Sequence, residues 1–293
     1  MIVEEVALTA SELEAVNQLV NEVHQFDQTT KDPYLSNQYN YFSQMSTFVL
    51  AYCKQKLVGL TMLYADEEPG SEVELSIIVA PAFRRQGIAT EMFKHAVRIS
   101  QKYGYSQYSF VSEKIFLQQN PDFLKNTALT ITDSEYYMKA SKAVKASPLA
   151  GLTVEQMTAD DVDEVAKIYH ASFDEPLTTT MNYLVQGLKD PTGLSFVLRY
   201  QNKIVGYCGV DCGQSDYFFG LLIAEEFRGR GFATFFIKQM MATLQEQGCK
   251  EFSIEVDCDN PAAIHVYKNA GFVVATEVVY LVKNECTNRT VLA

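Results

Sequence analysis

The residues that most readily suggest chemistry are Arg-Gly-Arg-Gly-Phe-Ala-Thr, residues 228–234. They stand between an apolar run, Tyr217–Ala224, and a stretch with helical spacing, Phe235–Leu244. Small residues at Gly229, Gly231 and Ala233 keep side chains clear of the first turn of that helix. Its free backbone N–H groups then point outward at the positive end of the helix dipole. Such a helix start binds phosphate or pyrophosphate, and Arg228 and Arg230 add positive charge. The pattern is not the triphosphate loop G-x-x-x-x-G-K-[ST]. Nor is it G-x-G-x-x-G, because Phe232, Ala233 and Thr234 follow Gly231. A strand-to-helix turn without a ligand would use the same glycines, so the motif has to be weighed in its context.

That context is a repeat. Arg-Arg-Gln-Gly-Ile-Ala-Thr, residues 84–90, again follows an apolar run (Leu75–Ala80) and precedes a helical stretch. Arg84 and Arg228 are 144 residues apart, as are Gly104 and Gly248. Phe123–Leu129 (FLKNTAL) matches Val266–Phe272 (VYKNAGF), and Phe48–Gly59 matches Phe196–Gly206. Thr9–Val16 resembles Thr158–Val165, each with helix N-cap chemistry before apolar periodicity. Collinear matches at nearly constant spacing make the chain a tandem of two α/β domains, each a mixed sheet flanked by helices. The expected division is 1–140 and 152–293. The Ala-, Ser- and Lys-rich stretch 141–151, which contains Pro148, reads as a linker.

The bulk numbers agree with two soluble domains. At roughly 150 residues each, 293 residues make two, and 47% hydrophobic with 20% charged residues is ordinary for a globular protein. No apolar run approaches the ~20 residues needed to span a bilayer, and the acidic start lacks a basic leader. The expectation is therefore a cytoplasmic protein with no membrane partner. Six scattered cysteines, Cys286 among them, have no C-x-x-C spacing and no clustered histidine, so neither a metal site nor a disulfide framework is expected. The net charge of −12 disfavours nucleic acid and would attract cations.

The glycine turn, together with the downstream Asn-Pro-Ala-Ala-Ile-His-Val-Tyr-Lys-Asn-Ala-Gly-Phe (260–272), resembles the GNAT superfamily of N-acyltransferases. Both halves resemble it, so nearly all of the chain is covered. The resemblance implies acetyl-coenzyme A as cosubstrate, its pyrophosphate held at Arg228, Gly229, Arg230, Gly231, Phe232, Ala233 and Thr234. The strand ending at Ile223 would line the pantetheine arm, with Asn260 beside it. Tyr267 takes the family's general-acid position: a tyrosine, of reference pKa near 10, can donate to a departing thiolate whose thiol pKa is about 8.5.

The N-terminal copy departs from the pattern. Leu124 stands where Tyr267 stands, Leu117 where Asn260 stands and Ala128 where Gly271 stands. Catalysis is therefore expected in the C-terminal half, with the N-terminal half a packing partner or, alternatively, a weak coenzyme A site that has lost its acid. A general base is not legible; Asp216, Glu255 and Asp257 are the candidates. The reading is an N-acetyltransferase acting on a primary amine of a small molecule or peptide, and the charge favours a cationic acceptor. The competing reading is a non-catalytic acyl-coenzyme A sensor. No acceptor motif is visible in the segments expected to set specificity, His24–Tyr41 and Ser172–Gly187.

Overall fold

The computed structural model describes residues 1–213 and 215–283; Cys286 lies outside the described residues. The first half runs β1 (Ile2–Glu5), α1 (Ala10–Asp27), β2 (Phe48–Cys53), β3 (Lys56–Tyr64), β4 (Glu72–Val79), α2 (Ile88–Lys102), β5 (Gln107–Glu113), α3 (Lys114–Gln119), α4 (Phe123–Thr127) and β6 (Leu129–Ala140). The second runs β7 (Leu152–Gln156), α5 (Val162–Phe173), α6 (Leu177–Gly187), β8 (Gly193–Tyr200), β9 (Lys203–Asp211), β10 (Asp216–Ile223), α7 (Phe232–Glu246), β11 (Phe252–Asp257), α8 (Pro261–Ala270) and β12 (Val273–Lys283).

The repeat is visible in backbone detail. Both opening helices begin at a capping box, Thr9 with Glu12 and Thr158 with Asp161. Both first hairpins turn on two residues of positive φ, Lys54–Gln55 and Gln201–Asn202. Two such residues in succession match the right-handed twist of the flanking strands. The hairpin register slips at matching places, Ala51/Tyr52 and Leu198/Arg199.

The compact units are not the two halves marked off at 141–151. Unit 1 comprises Met1–Glu135 and Thr276–Ala293, and unit 2 comprises Tyr136–Ala275. Unit 1 takes a strand from the far end of the chain: β12 pairs antiparallel with β5, Val278 opposite Glu113 through Val282 opposite Ser109. In unit 2 the end of β6 lies beside β11, where Lys139 Nζ meets Glu251 Oε1 at 2.8 Å. The stretch 141–151 belongs to unit 2. Ala143, Ala146 and Leu149 pack on its core, and the Ala143 N–H donates to Gln245 Oε1 at 3.1 Å.

In each unit one parallel strand pair is short. β4 and β5 pair over Glu72–Leu75, and β10 and β11 over Asp216–Phe218. Beyond those residues the strands part, opening a cleft toward their C-terminal ends. In unit 2 the sheet is filled on both faces. Phe218, Phe236, Phe252 and Phe272 pack with α7 and α8, while Val197, Ile204, Tyr207 and Leu222 pack with α5 and α6.

Candidate active site

A single 3-10 turn, Glu225–Phe227, leads from β10 to α7. Gly229 (φ 73°) and Gly231 (φ 77°) both sit in the left-handed region that favours glycine. The first helical bond runs from the Phe235 N–H to Gly231 O, 3.0 Å. The N–H groups of Phe232, Ala233 and Thr234 come before it and receive no side-chain cap. A Cβ built on Gly229 or Gly231 meets nothing within 4 Å, so the space before the helix is open. Free donors, an aligned dipole and open room fit a pyrophosphate. Phe232 itself is buried, so only its N–H can face a ligand.

The arginines do more than the sequence suggests. Arg228 Nε donates to Ile223 O at 2.8 Å, tying the turn to the end of β10, and Arg230 Nη2 donates to Glu226 O at 2.8 Å. Arg230 also lies over the Phe227 ring, 5.2 Å from its centroid. Ile223 thus has its carbonyl engaged by Arg228. Unit 1 repeats the brace: Arg84 Nε donates to Val79 O at 3.0 Å, with Arg85 (φ 61°) and Gly87 (φ 80°) matching the two glycines. The electrostatics differ. Buried Asp27 takes Arg84 in a two-pronged ion pair, whereas Arg228 meets no carboxylate among the described residues and its Nη2 donates to the Ser172 hydroxyl at 3.3 Å.

β10 carries a bulge that is only faintly marked in the sequence. Its register against β9 shifts between Phe219 and Leu222, leaving Gly220 (φ 61°) and Leu221 outside the ladder. Backbone groups freed in this way can meet a carbonyl in the cleft. The lone glycine inside Phe218–Ile223 was the available signal. In unit 1, β4 pairs with β3 without a break from Gly59–Val79 to Tyr64–Glu74, and Ser76 occupies the matching place.

Asn260 N-caps α8, its Oδ1 accepting from the Ala263 N–H at 3.0 Å, with Pro261 next. Seven residues on, Tyr267 is 7% exposed and its hydroxyl has no hydrogen-bond partner among the described residues. Burial, with Cys208 and Asp257 nearby, raises its pKa and holds the proton on. Gly271 (φ 101°) closes the helix, and the Phe272 N–H donates to Tyr267 O at 3.0 Å. In unit 1 the corresponding α4 has five residues, and Ala128 takes the left-handed position at φ 54°.

The three candidate bases separate. Asp216 is buried at the start of β10, about 20 Å along the strand from Ile223 and at the closed end of the cleft. Glu255 accepts from the Tyr217 hydroxyl at 3.0 Å. Asp257 is exposed at the end of β11, and its carbonyl receives the Asn260 N–H at 3.0 Å. On the α5–α6 face, Tyr169, Phe173, Tyr183, Tyr207 and Phe219 form an aromatic wall, with Tyr169 and Phe173 4.7 Å apart between centroids. Gly209 lets the Phe219 ring lie on β9, since a Cβ there would be 2.3 Å from the ring.

The sequence pattern of the acetyltransferase (GNAT) family matches residues 13–115 and 162–272, which together are most of the chain. The chain belongs to the GNAT family of acetyltransferases. A mycothiol acetyltransferase of Propionibacterium freudenreichii is 25% identical over 229 residues, 71% of this chain and 70% of that protein. An N-alpha-acetyltransferase of Arabidopsis thaliana is 26% identical over 98 residues, 31% of this chain and 50% of that one. The fold is similar to a GCN5-related N-acetyltransferase from Sphaerobacter thermophilus, with TM-score 0.75, 14% identity, and 96% and 94% of the two chains covered. It is also similar to a tandem GNAT protein from the clavulanic acid biosynthesis pathway, with TM-score 0.67, 14% identity, and 96% and 98% covered. This GNAT chain is thus a tandem with a mixed α/β fold. Among its described residues no helix is long and apolar enough to cross a membrane, and no group of three or more His, Cys, Asp or Glu is placed to hold a metal ion.

Proposed function

We propose that the chain is an acetyl-coenzyme A-dependent N-acetyltransferase whose chemistry runs in unit 2 and whose acceptor is a primary amine. The pyrophosphate takes the N–H groups of Phe232, Ala233 and Thr234, and the uncompensated charge of Arg228 adds attraction. Pantetheine enters between β10 and β11, bringing the thioester to the Gly220 bulge. A neutral amine attacks the acyl carbon, the C–S bond breaks, and Tyr267 gives its proton to the coenzyme A thiolate. The amine's surplus proton leaves to water.

The observation that carries this reading is the coincidence, in unit 2, of the open glycine turn, the bulged strand and a Tyr267 hydroxyl without a hydrogen-bond partner among the described residues. Unit 1 keeps only the turn. Its α1–β2 loop is tied to the end of β5, because Glu113 accepts from the Thr30 and Lys31 N–H groups at 2.9–3.1 Å. Phe116 of α3 lies 6.0 Å from the Arg84 guanidinium carbon. These contacts tie the loop and α3 of unit 1 to its own strand and turn, which supports a structural role for that unit.

The names of the two relatives differ, one tied to mycothiol and the other to an alpha nitrogen, so they select no acceptor for this chain. The net charge of −12 favours a cationic amine. The test is a panel of primary amines with acetyl-coenzyme A, following free thiol release at low and high ionic strength. At least one amine should release thiol in proportion to acetylated product, with kcat/KM falling as salt rises. Thiol release with no amine in the panel, while coenzyme A still binds, favours the sensor.

A further inference from the structure

We infer that Tyr169 is a second catalytic tyrosine, whose hydroxyl donates a hydrogen bond to the carbonyl oxygen of the acyl thioester and to the oxyanion that follows. The inference rests on the proposed placement of the thioester at the β10 bulge and adds a residue from the opposite face of the sheet to Tyr267.

Tyr169 projects from α5, and its ring is fixed by Phe173, Tyr207 and Tyr183 at 4.7, 6.0 and 6.2 Å between centroids. Its hydroxyl lies 3.6 Å from where a Cβ on Gly220 would stand, and its ring edge 3.4 Å. It therefore abuts the one residue of β10 that combines a bulge with a positive φ. The hydroxyl has no hydrogen-bond partner among the described residues. Burial, with Glu175 and Cys208 nearby, pushes its pKa up to about 12, so it stays a donor. A partly buried phenol with no acceptor leaves a hydrogen bond unmade, and a carbonyl oxygen in the cleft would complete it.

Unit 1 is the internal control. Both opening helices end on a left-handed cap, Gln28 (φ 57°) and Asp174 (φ 58°). Five residues before each cap stand Val23 and Tyr169. Ser76 replaces Gly220, β4 is unbulged and Leu124 replaces Tyr267. The Tyr169 hydroxyl is thus absent from the copy that lacks the bulge and the acid. In the reaction the amine lone pair forms the C–N bond and the carbonyl π pair moves onto oxygen. Tyr169 shares its proton with that oxygen without transferring it. The pair then re-forms the carbonyl as the C–S bond breaks.

The experiment needs no acceptor. Acetyl-coenzyme A and S-ethyl-coenzyme A, which lacks only the carbonyl oxygen, are titrated calorimetrically into wild type, Tyr169→Phe and Tyr267→Phe. The carbonyl stretch of bound 13C-labelled acetyl-coenzyme A is read by difference infrared. Tyr169→Phe should bind S-ethyl-coenzyme A as wild type does, lose about 3- to 10-fold in its preference for the acetyl form, and shift the carbonyl band to higher frequency. Tyr267→Phe should keep both signatures. A Tyr169→Phe protein that keeps the preference and the band position overturns the inference. Wild type that binds neither ligand instead overturns the cofactor reading beneath it.

Discussion

Tyr267→Phe removes one oxygen from a nearly buried ring without disturbing the helix around it. Loss of a general acid should lower kcat by about 10²–10⁴ and leave coenzyme A affinity within about two-fold. Leu124→Ala, at the matching place in unit 1, should lower only the melting temperature. Steady-state kinetics and calorimetry on both variants check this; equal kcat losses would contradict the asymmetry between the copies. At this scale the sequence was legible where a residue belongs to a local motif. Tyr267, Asn260 and the turn are proposed together because they are neighbours along the chain. Tyr169 could not be read, since one helical tyrosine among 17 says nothing until folding brings it to Gly220. Nor could Arg228 be read as a brace on Ile223 O, because the contact depends on how the turn folds back.

Helix ends decide whether these side chains are held in place. Gly271 closes α8 at φ 101°, and a Cβ there would stand 2.8 Å from Val144 Cγ2. Gly271→Ala should cost about 1–2 kcal/mol from the left-handed backbone alone, read as a lower midpoint in urea. An unchanged midpoint would mean that α8 does not depend on this cap. The start of α5 is sensitive to acid. Burial would raise the Asp161 pKa, but the Thr158 N–H and the Arg199 guanidinium outweigh it and hold the carboxyl below its ordinary value. A carboxyl with a lowered folded pKa stabilises above its unfolded pKa of about 3.9, and that contribution is lost as pH falls through the folded value. Asp161→Asn should therefore melt at a lower temperature than wild type at pH 6, with the gap closing below about pH 4. A gap that does not shrink as pH falls below about 4 would contradict the assignment. The elements themselves were legible, because hairpin turns, capping boxes and helical periodicity are local. The β10 bulge was signalled only by one glycine, and the left-handed Arg85 had no signal, since arginine rarely adopts that backbone.

At the scale of the chain, each unit depends on a strand from the other repeat. Unit 1 includes Thr276–Lys283 of β12, and unit 2 includes the last residues of β6. A fragment ending at residue 140 would leave the β5 edge uncovered, and exposed edges pair with other chains. Residues 1–140 expressed alone should aggregate, and co-expression with 141–293 should restore solubility; a soluble, monomeric 1–140 would contradict the unit boundaries. Periodicity and spacing give the repeat, but not which sheet edge its last strand will occupy, because either edge offers the same backbone partners. Counting sites decides whether the cosubstrate binds in unit 2. Calorimetric titration of coenzyme A should give one site per chain. That site should be lost on Gly231→Asp, which tolerates the left-handed backbone yet sets a carboxylate before the helix, and kept on Gly87→Asp. Two sites, or one site lost on Gly87→Asp and kept on Gly231→Asp, would contradict this placement.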